Sequence, residues 1–105
     1  KDSNSSLLKD LIINKNITPL FNQDSQRPTT VKSRVVSQQQ QLLRIDQEET
    51  FPVTQEIVSN SIKQLDNLDQ INAIVISDYD KGFVTRDLIQ RVRQNFPNTL
   101  IIIDP

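Results

Sequence analysis

Asp78-Tyr79-Asp80-Lys81-Gly82 brings together two carboxylates, a lysine and the only glycine of the chain, and a further carboxylate, Asp104, stands just before Pro105. Carboxylates accept hydrogen bonds from sugar hydroxyls, and an ammonium beside them attracts phosphate. Asp-x-Asp is also a spacing found in magnesium sites, but alternating carboxylates are common and the spacing alone selects nothing. The plain structural alternative is a polar loop that solvates a turn, with Gly82 supplying a positive φ. On spacing alone the two readings stand level, and position is what lifts the functional one that far. Each group follows an apolar run, Ile71–Ser77 or Thr99–Ile103, and open α/β sheets bind ligands outside the carboxyl ends of their strands.

Ile71–Ser77 is mostly β-branched and nearly unbroken, the pattern of a strand buried on both faces inside a parallel sheet. Between the two runs, Leu88, Ile89, Val92 and Phe96 recur at helical spacing over Thr85–Phe96. Thr85 serves as N-cap, Asp87 suits the first turn and Pro97 ends the helix, while Arg86, Gln90, Arg91, Arg93 and Gln94 face water. These pieces make a β-loop-α-β unit over about residues 71–104. Its strands are expected to be parallel neighbours joined by a right-handed crossover. Upstream, Thr54–Leu68 reads as a helix capped by Thr54, with Ile57, Val58, Ile62 and Leu65 turned inward.

Residues 29–46 read as a β-hairpin, Thr29–Ser37 then Gln40–Asp46, with a turn inside Ser37–Gln41 that no Asn-Gly or glycine fixes. Period two places Thr30, Lys32 and Arg34 on one face and Val31, Ser33 and Val35 on the other. By itself the charged face reads as solvated, with Arg44 a surface partner of Asp46 or Glu48. At the start, Leu7, Leu8, Leu11 and Ile12 form one helical stripe behind Ser5 or Ser6 as N-cap, ended by Asn14-Lys15-Asn16. Ile17–Phe21 suggests a short strand weakened by Pro19. The order helix, hairpin, helix, strand, helix, strand defines an α/β chain.

Composition narrows the chemistry. The 105 residues suffice for one small domain or for part of a larger one. A net charge of -1, from 12 basic and 13 acidic residues, sets up no field for nucleic acid or a membrane surface. No apolar run reaches membrane-spanning length, and a cytoplasmic protein is the default expectation. The lack of cysteine and histidine removes disulfides, thiolate and Ser-His-Asp chemistry and nearly all zinc sites. The lack of methionine suggests a chain processed or excised from a longer one. Phosphate-cradling loops need several glycines, so any nucleotide site would have to be completed by residues outside this chain.

Three stretches, in order, carry a family resemblance. They are Arg27-Pro28-Thr29-Thr30-Val31-Lys32-Ser33-Arg34-Val35 with Gln40-Gln41-Leu42-Leu43-Arg44-Ile45-Asp46, then Ser77-Asp78-Tyr79-Asp80-Lys81-Gly82, then Ile101-Ile102-Ile103-Asp104-Pro105. Together they resemble the middle of the ribokinase-like (PfkB) carbohydrate kinases, and within that family the bacterial heptose 7-phosphate kinases. The resemblance covers nearly the whole chain and is weakest over Lys1–Gln26.

It implies the central portion of a three-layer, Rossmann-type core with a hairpin, and phosphoryl transfer from ATP with Mg2+ to a sugar hydroxyl. The expected acceptor is the anomeric hydroxyl of a heptose 7-phosphate, on the way to lipopolysaccharide precursors. Asp78 would lie near sugar hydroxyls and Lys81 near a substrate or transferring phosphate. Lys32, Arg34 and Arg44 become candidate phosphate or partner contacts, and the hairpin a candidate homodimer contact. The family's glycine-rich sugar segment, its Asn-x-x-Glu motif and its Gly-Ala-Gly-Asp loop with the catalytic base have no counterpart here. No catalytic residue is therefore expected within the chain, which by itself should not phosphorylate sugar. The alternatives are another PfkB sugar kinase and, from a different class, a non-catalytic module that binds or dimerises through its hairpin edge.

Overall fold

The computed structural model describes residues 2–105, which divide into two compact units. One comprises the chain up to Pro19 together with Gln23–Glu49, and the other Leu20–Asn22 together with Thr50–Pro105.

The first unit holds helix α1 (Ser3–Ile13) and a hairpin of β1 (Val31–Ser37) and β2 (Gln40–Gln47). The N-cap of α1 is Asp2, not Ser5 or Ser6. Its Oδ1 accepts from Ser5 N at 2.7 Å and its Oδ2 from Thr29 N at 2.9 Å, so one carboxylate caps the helix and tethers the approach to β1. A carboxylate can serve both donors because each takes a different one of its two oxygens, which a single hydroxyl oxygen cannot reach at once. The Thr29 amide, and then the Ser5 amide, hold the Asp2 carboxyl below its ordinary value. Ile17–Phe21 is irregular rather than a strand, and Leu7, Leu8 and Leu11 are exposed. The strands pair antiparallel from Val31↔Gln47 to Ser37↔Gln40, one residue beyond the expected end of β2. The turn is Gln38-Gln39, with φ of 47° and 67°. Positive φ at both central residues marks a type I′ turn, whose twist matches the strands well enough to hold two glutamines where Asn-Gly is usual. The register shifts between Val35 and Val36, a bulge that takes up Leu42.

The second unit carries α2 (Gln55–Asp66), β3 (Ala73–Ser77), α3 (Arg86–Asn95) and β4 (Leu100–Asp104). Thr54 and Thr85 cap the helices by accepting from Ile57 N at 3.4 Å and Leu88 N at 3.1 Å. β3 and β4 are parallel neighbours, in register from Ala73↔Leu100 to Ser77↔Asp104. The core is Val58, Ile62, Ile74, Ile76, Leu88 and Val92, with Val58 and Val92 each only 2% exposed. Each such side chain contributes about 1.5–3 kcal/mol by leaving water. Burial is one-sided, contrary to the expectation from the unbroken apolar run. Ile74 and Ile76 are covered, whereas Val75 is 65% and Leu100 63% exposed. An apolar run records what a strand tolerates on both faces; α2 and α3 cover only one of them. Arg91 also departs from the water-facing role assigned to it. Its Nε bonds Asp87 Oδ1 at 3.1 Å and a terminal nitrogen donates to Ser59 Oγ at 2.9 Å, linking α3 to α2.

Candidate functional site

The loop that follows β3 is fixed at three points. Asp78 N donates to the Asp104 carbonyl at 2.8 Å, carrying the strand pairing one step past Ser77. Asp78 Oδ1 accepts from Asp80 N at 2.8 Å, an Asx turn that bends the chain over the strand end. Beyond it, the Gly82 carbonyl accepts from Val53 N at 2.9 Å. Between these points Asp80 sits at φ 55° and Gly82 at φ 76°. Aspartate is among the few side chains enriched in that left-handed region. At Gly82 the requirement is stricter, because a Cβ would stand 2.1 Å from the Phe51 carbonyl oxygen.

Asp78, Asp80, Lys81 and Asp104 thus gather at the carboxyl edge of the β3–β4 pair, as the spacing suggested. Asp78 and Lys81 are half-buried, while Tyr79 and Asp80 project into solvent. Chemically the edge offers acceptors for hydroxyl donors and one ammonium for an anion. Among the described residues no three acidic side chains converge on one position. A shallow cavity of about 310 Å³ also lies in this unit. Leu65, Ile76 and Phe83 are among its lining, with Asn22, Ser61, Gln64 and Ser77 as its polar residues. Asn22 Nδ2 donates to Ser61 Oγ at 2.8 Å and to Gln64 Oε1 at 3.2 Å. Asp78, Asp80 and Lys81 take no part in that cavity.

The other candidate residues belong to the hairpin of the first unit. Period two and the pairing Lys32↔Asp46 and Arg34↔Arg44 put all four on one face. Lys32 Nζ lies 3.0 Å from Asp46 and 3.7 Å from Glu48, and Arg44 Nε 3.2 Å from Asp46. Arg44 therefore has the surface partner the sequence suggested. Among the described residues no carboxylate is paired with Arg34, whose cross-strand partner in the register is Arg44. The Lys32–Asp46 pair escaped the sequence reading because it depends on the register, which the Gln38-Gln39 turn decides.

No family model matches the chain. Individual proteins do. The segment is 38% identical over 85 residues to "Bifunctional protein HldE" of Helicobacter hepaticus, covering 78% of this chain and 18% of that protein. The Pasteurella multocida protein of the same name is 38% identical over 109 residues, and the match takes in 100% of this chain and 22% of its relative. The chain is a homologue of the HldE proteins. It spans about a fifth of the length of these HldE relatives. A further relative, "Uncharacterized protein MJ1336" of Methanocaldococcus jannaschii, is 39% identical over 67 residues, or 63% of this chain and 45% of that protein. The HldE relationship and the α/β architecture agree with the resemblance carried by the three motifs.

Proposed function

We propose that this chain is the central portion of a ribokinase-like carbohydrate kinase domain, the sugar-phosphorylating half of an HldE-type protein. The reaction is transfer of the ATP γ-phosphate to the anomeric hydroxyl of a heptose 7-phosphate, in the cytoplasm, on the way to lipopolysaccharide precursors. The observation that carries this reading is the Asp78–Gly82 loop, locked at the carboxyl edge of two parallel strands in an HldE homologue. In this reading Asp78 accepts from sugar hydroxyls, Lys81 neutralises phosphate, and Lys32, Arg34 and Arg44 are phosphate contacts. Arg34 is the foremost of the three, since no carboxylate competes for it.

The residues present do not form a nucleotide site. With a single glycine they supply no phosphate cradle. ATP and Mg2+ would be held mainly by other parts of the longer protein, which would also supply the base. The isolated chain is accordingly inactive.

The test is an ATP-dependent kinase assay of the full-length protein against a panel of sugar phosphates. Turnover of a heptose 7-phosphate is expected. Turnover of a different sugar would move the protein to another PfkB kinase, and no turnover of any sugar would refute the kinase reading.

A second reading, dimerisation through the hairpin, is favoured by one observation. Val35, Val36, Leu42, Leu43 and Ile45 are all exposed on this two-stranded element, whose outer edges pair with no further strand among the described residues. Analytical ultracentrifugation of a Leu43→Lys variant, expected to be monomeric, tests it against a dimeric parent.

A further inference from the structure

Tyr79 is the only tyrosine of the chain, and at 78% exposure it is the most open of its large hydrophobic side chains. Its position is not that of a loose surface residue. The backbone on either side is fixed by Asp78 N to the Asp104 carbonyl, by Asp80 N to Asp78 Oδ1, and by Val53 N to the Gly82 carbonyl. A loop fixed in this way therefore presents an aromatic ring to water, flanked in the sequence by two carboxylates, at the strand edge where ligands bind in this architecture. Holding it there forfeits the transfer free energy of a large side chain and places Asp80 at φ 55°.

We infer that Tyr79 is a stacking platform for the ring of a sugar, held between the acceptors Asp78 and Asp80. The inference rests on the sugar kinase reading above and adds to it the residue that recognises the sugar's apolar face. A pyranose has one face of C–H groups, which packs against an aromatic face, and a rim of hydroxyls, which donate to carboxylates. Both complements occur here in three consecutive residues. A nucleotide fits less well, because the polyphosphate of a nucleotide carries more charge past Asp78, Asp80 and Asp104 than the single phosphate of a sugar phosphate does, and Lys81 is the one cation of the loop sequence. Tyrosine suits the task since its ring adds contact area at the cost of ordering only two side-chain torsions.

The experiment uses the full-length protein. Tyr79 is nitrated with tetranitromethane, alone and with either heptose 7-phosphate or ATP, and the modification is read by peptide mass mapping. Ready nitration without ligand, slowed at least threefold by the sugar phosphate and unchanged by ATP, is expected. An unreactive ligand-free Tyr79, protection by ATP alone, or protection by neither overturns the assignment. In steady-state kinetics Tyr79→Ala should raise KM for the sugar phosphate by about three- to tenfold, with kcat and the KM for ATP within twofold. Tyr79→Phe should match the parent, because the ring and not the hydroxyl makes the contact; equal losses in both variants would refute the stacking role. If the parent phosphorylates no sugar, the kinase reading falls and the nitration experiment still decides whether Tyr79 meets one.

Discussion

Gly82→Ala tests how the candidate site is held. The substitution adds a Cβ whose nearest neighbours would be Phe51 O at 2.1 Å, Phe51 C at 2.6 Å and Thr50 O at 2.7 Å. All three are backbone atoms of a neighbouring segment, so no side-chain rotation relieves the overlap. Two costs combine. The φ of 76° strains any L residue by about 1–2 kcal/mol, and forcing a methyl into closed space costs about 1–3 kcal/mol more. If the segments part to make room, the 2.9 Å bond from Val53 N to the Gly82 carbonyl goes too, at about 0.5–1.5 kcal/mol. A loss of about 2–6 kcal/mol follows, a large share of the ~5–15 kcal/mol that holds typical domains together. Urea denaturation followed by far-UV circular dichroism measures the loss, and amide exchange at Val53 locates it. Gly82→Asn separates the two costs, since asparagine tolerates positive φ yet carries the same Cβ. It should be nearly as damaging as alanine. An alanine variant within about 0.5 kcal/mol of the parent, the scatter of an ordinary surface change, would refute the close-approach argument. An asparagine variant that recovers most of the stability would show that φ alone dictates the glycine.

Leu88→Ala empties a buried position between α3 and β3 and should cost about 2–5 kcal/mol in the same denaturation experiment. Arg34→Thr removes one of two like charges that face each other across the hairpin, so stability should rise by a few tenths of a kcal/mol, about the size of a cross-strand pair effect. In the full-length protein the same variant should weaken sugar-phosphate binding, measured by calorimetry. The Asp2 carboxyl should titrate below its ordinary 3.8, because the Thr29 and Ser5 amides donate to its charged form. A lowered folded-state value means that its contribution is present above pH 3.8 and is lost as pH falls through the folded value. Carboxyl 13C shifts followed through that range, together with Thr29 amide exchange, check the sign.

The second unit is largely legible in the sequence, for a local reason. Thr54 and Thr85 announce their helices by capping chemistry that acts within three residues, and Ile57, Val58, Ile62 and Leu88, Val92 repeat at a spacing only a helix brings to one face. The placement of Asp78 and Asp104 side by side then follows from two runs that pair in parallel. What sequence concealed was non-local. Asp2 wins the α1 cap because Thr29, far along the chain, donates to its second oxygen. The Lys32–Asp46 partnership waits on a turn of two glutamines that no propensity rule favours. Ile17–Phe21 has the composition of a strand but no neighbour to pair with, and an unpaired strand leaves its backbone groups unsatisfied. In α3, Arg91 has the spacing of a solvated residue, and only the approach of Ser59 on α2 gives it a second role.

The bare face of β3 and β4 gives the carboxylates at their ends another duty. Val75, Leu100 and Ile102 lie open on uncharged, β-branched stretches, the makeup of segments that stack into intermolecular sheets. Each stretch is bracketed by residues that oppose stacking: Asp69 and Asp78 around the first, Pro97 and Asp104-Pro105 around the second. Asp78 and Asp104 thus stand where gatekeeper residues stand, next to open apolar stretches, as well as at the candidate site. Neutralising either changes the yield of soluble protein along with any ligand contact, so activities of such variants have to be normalised to the monodisperse fraction. Tyr79, which carries no charge, separates the two effects cleanly.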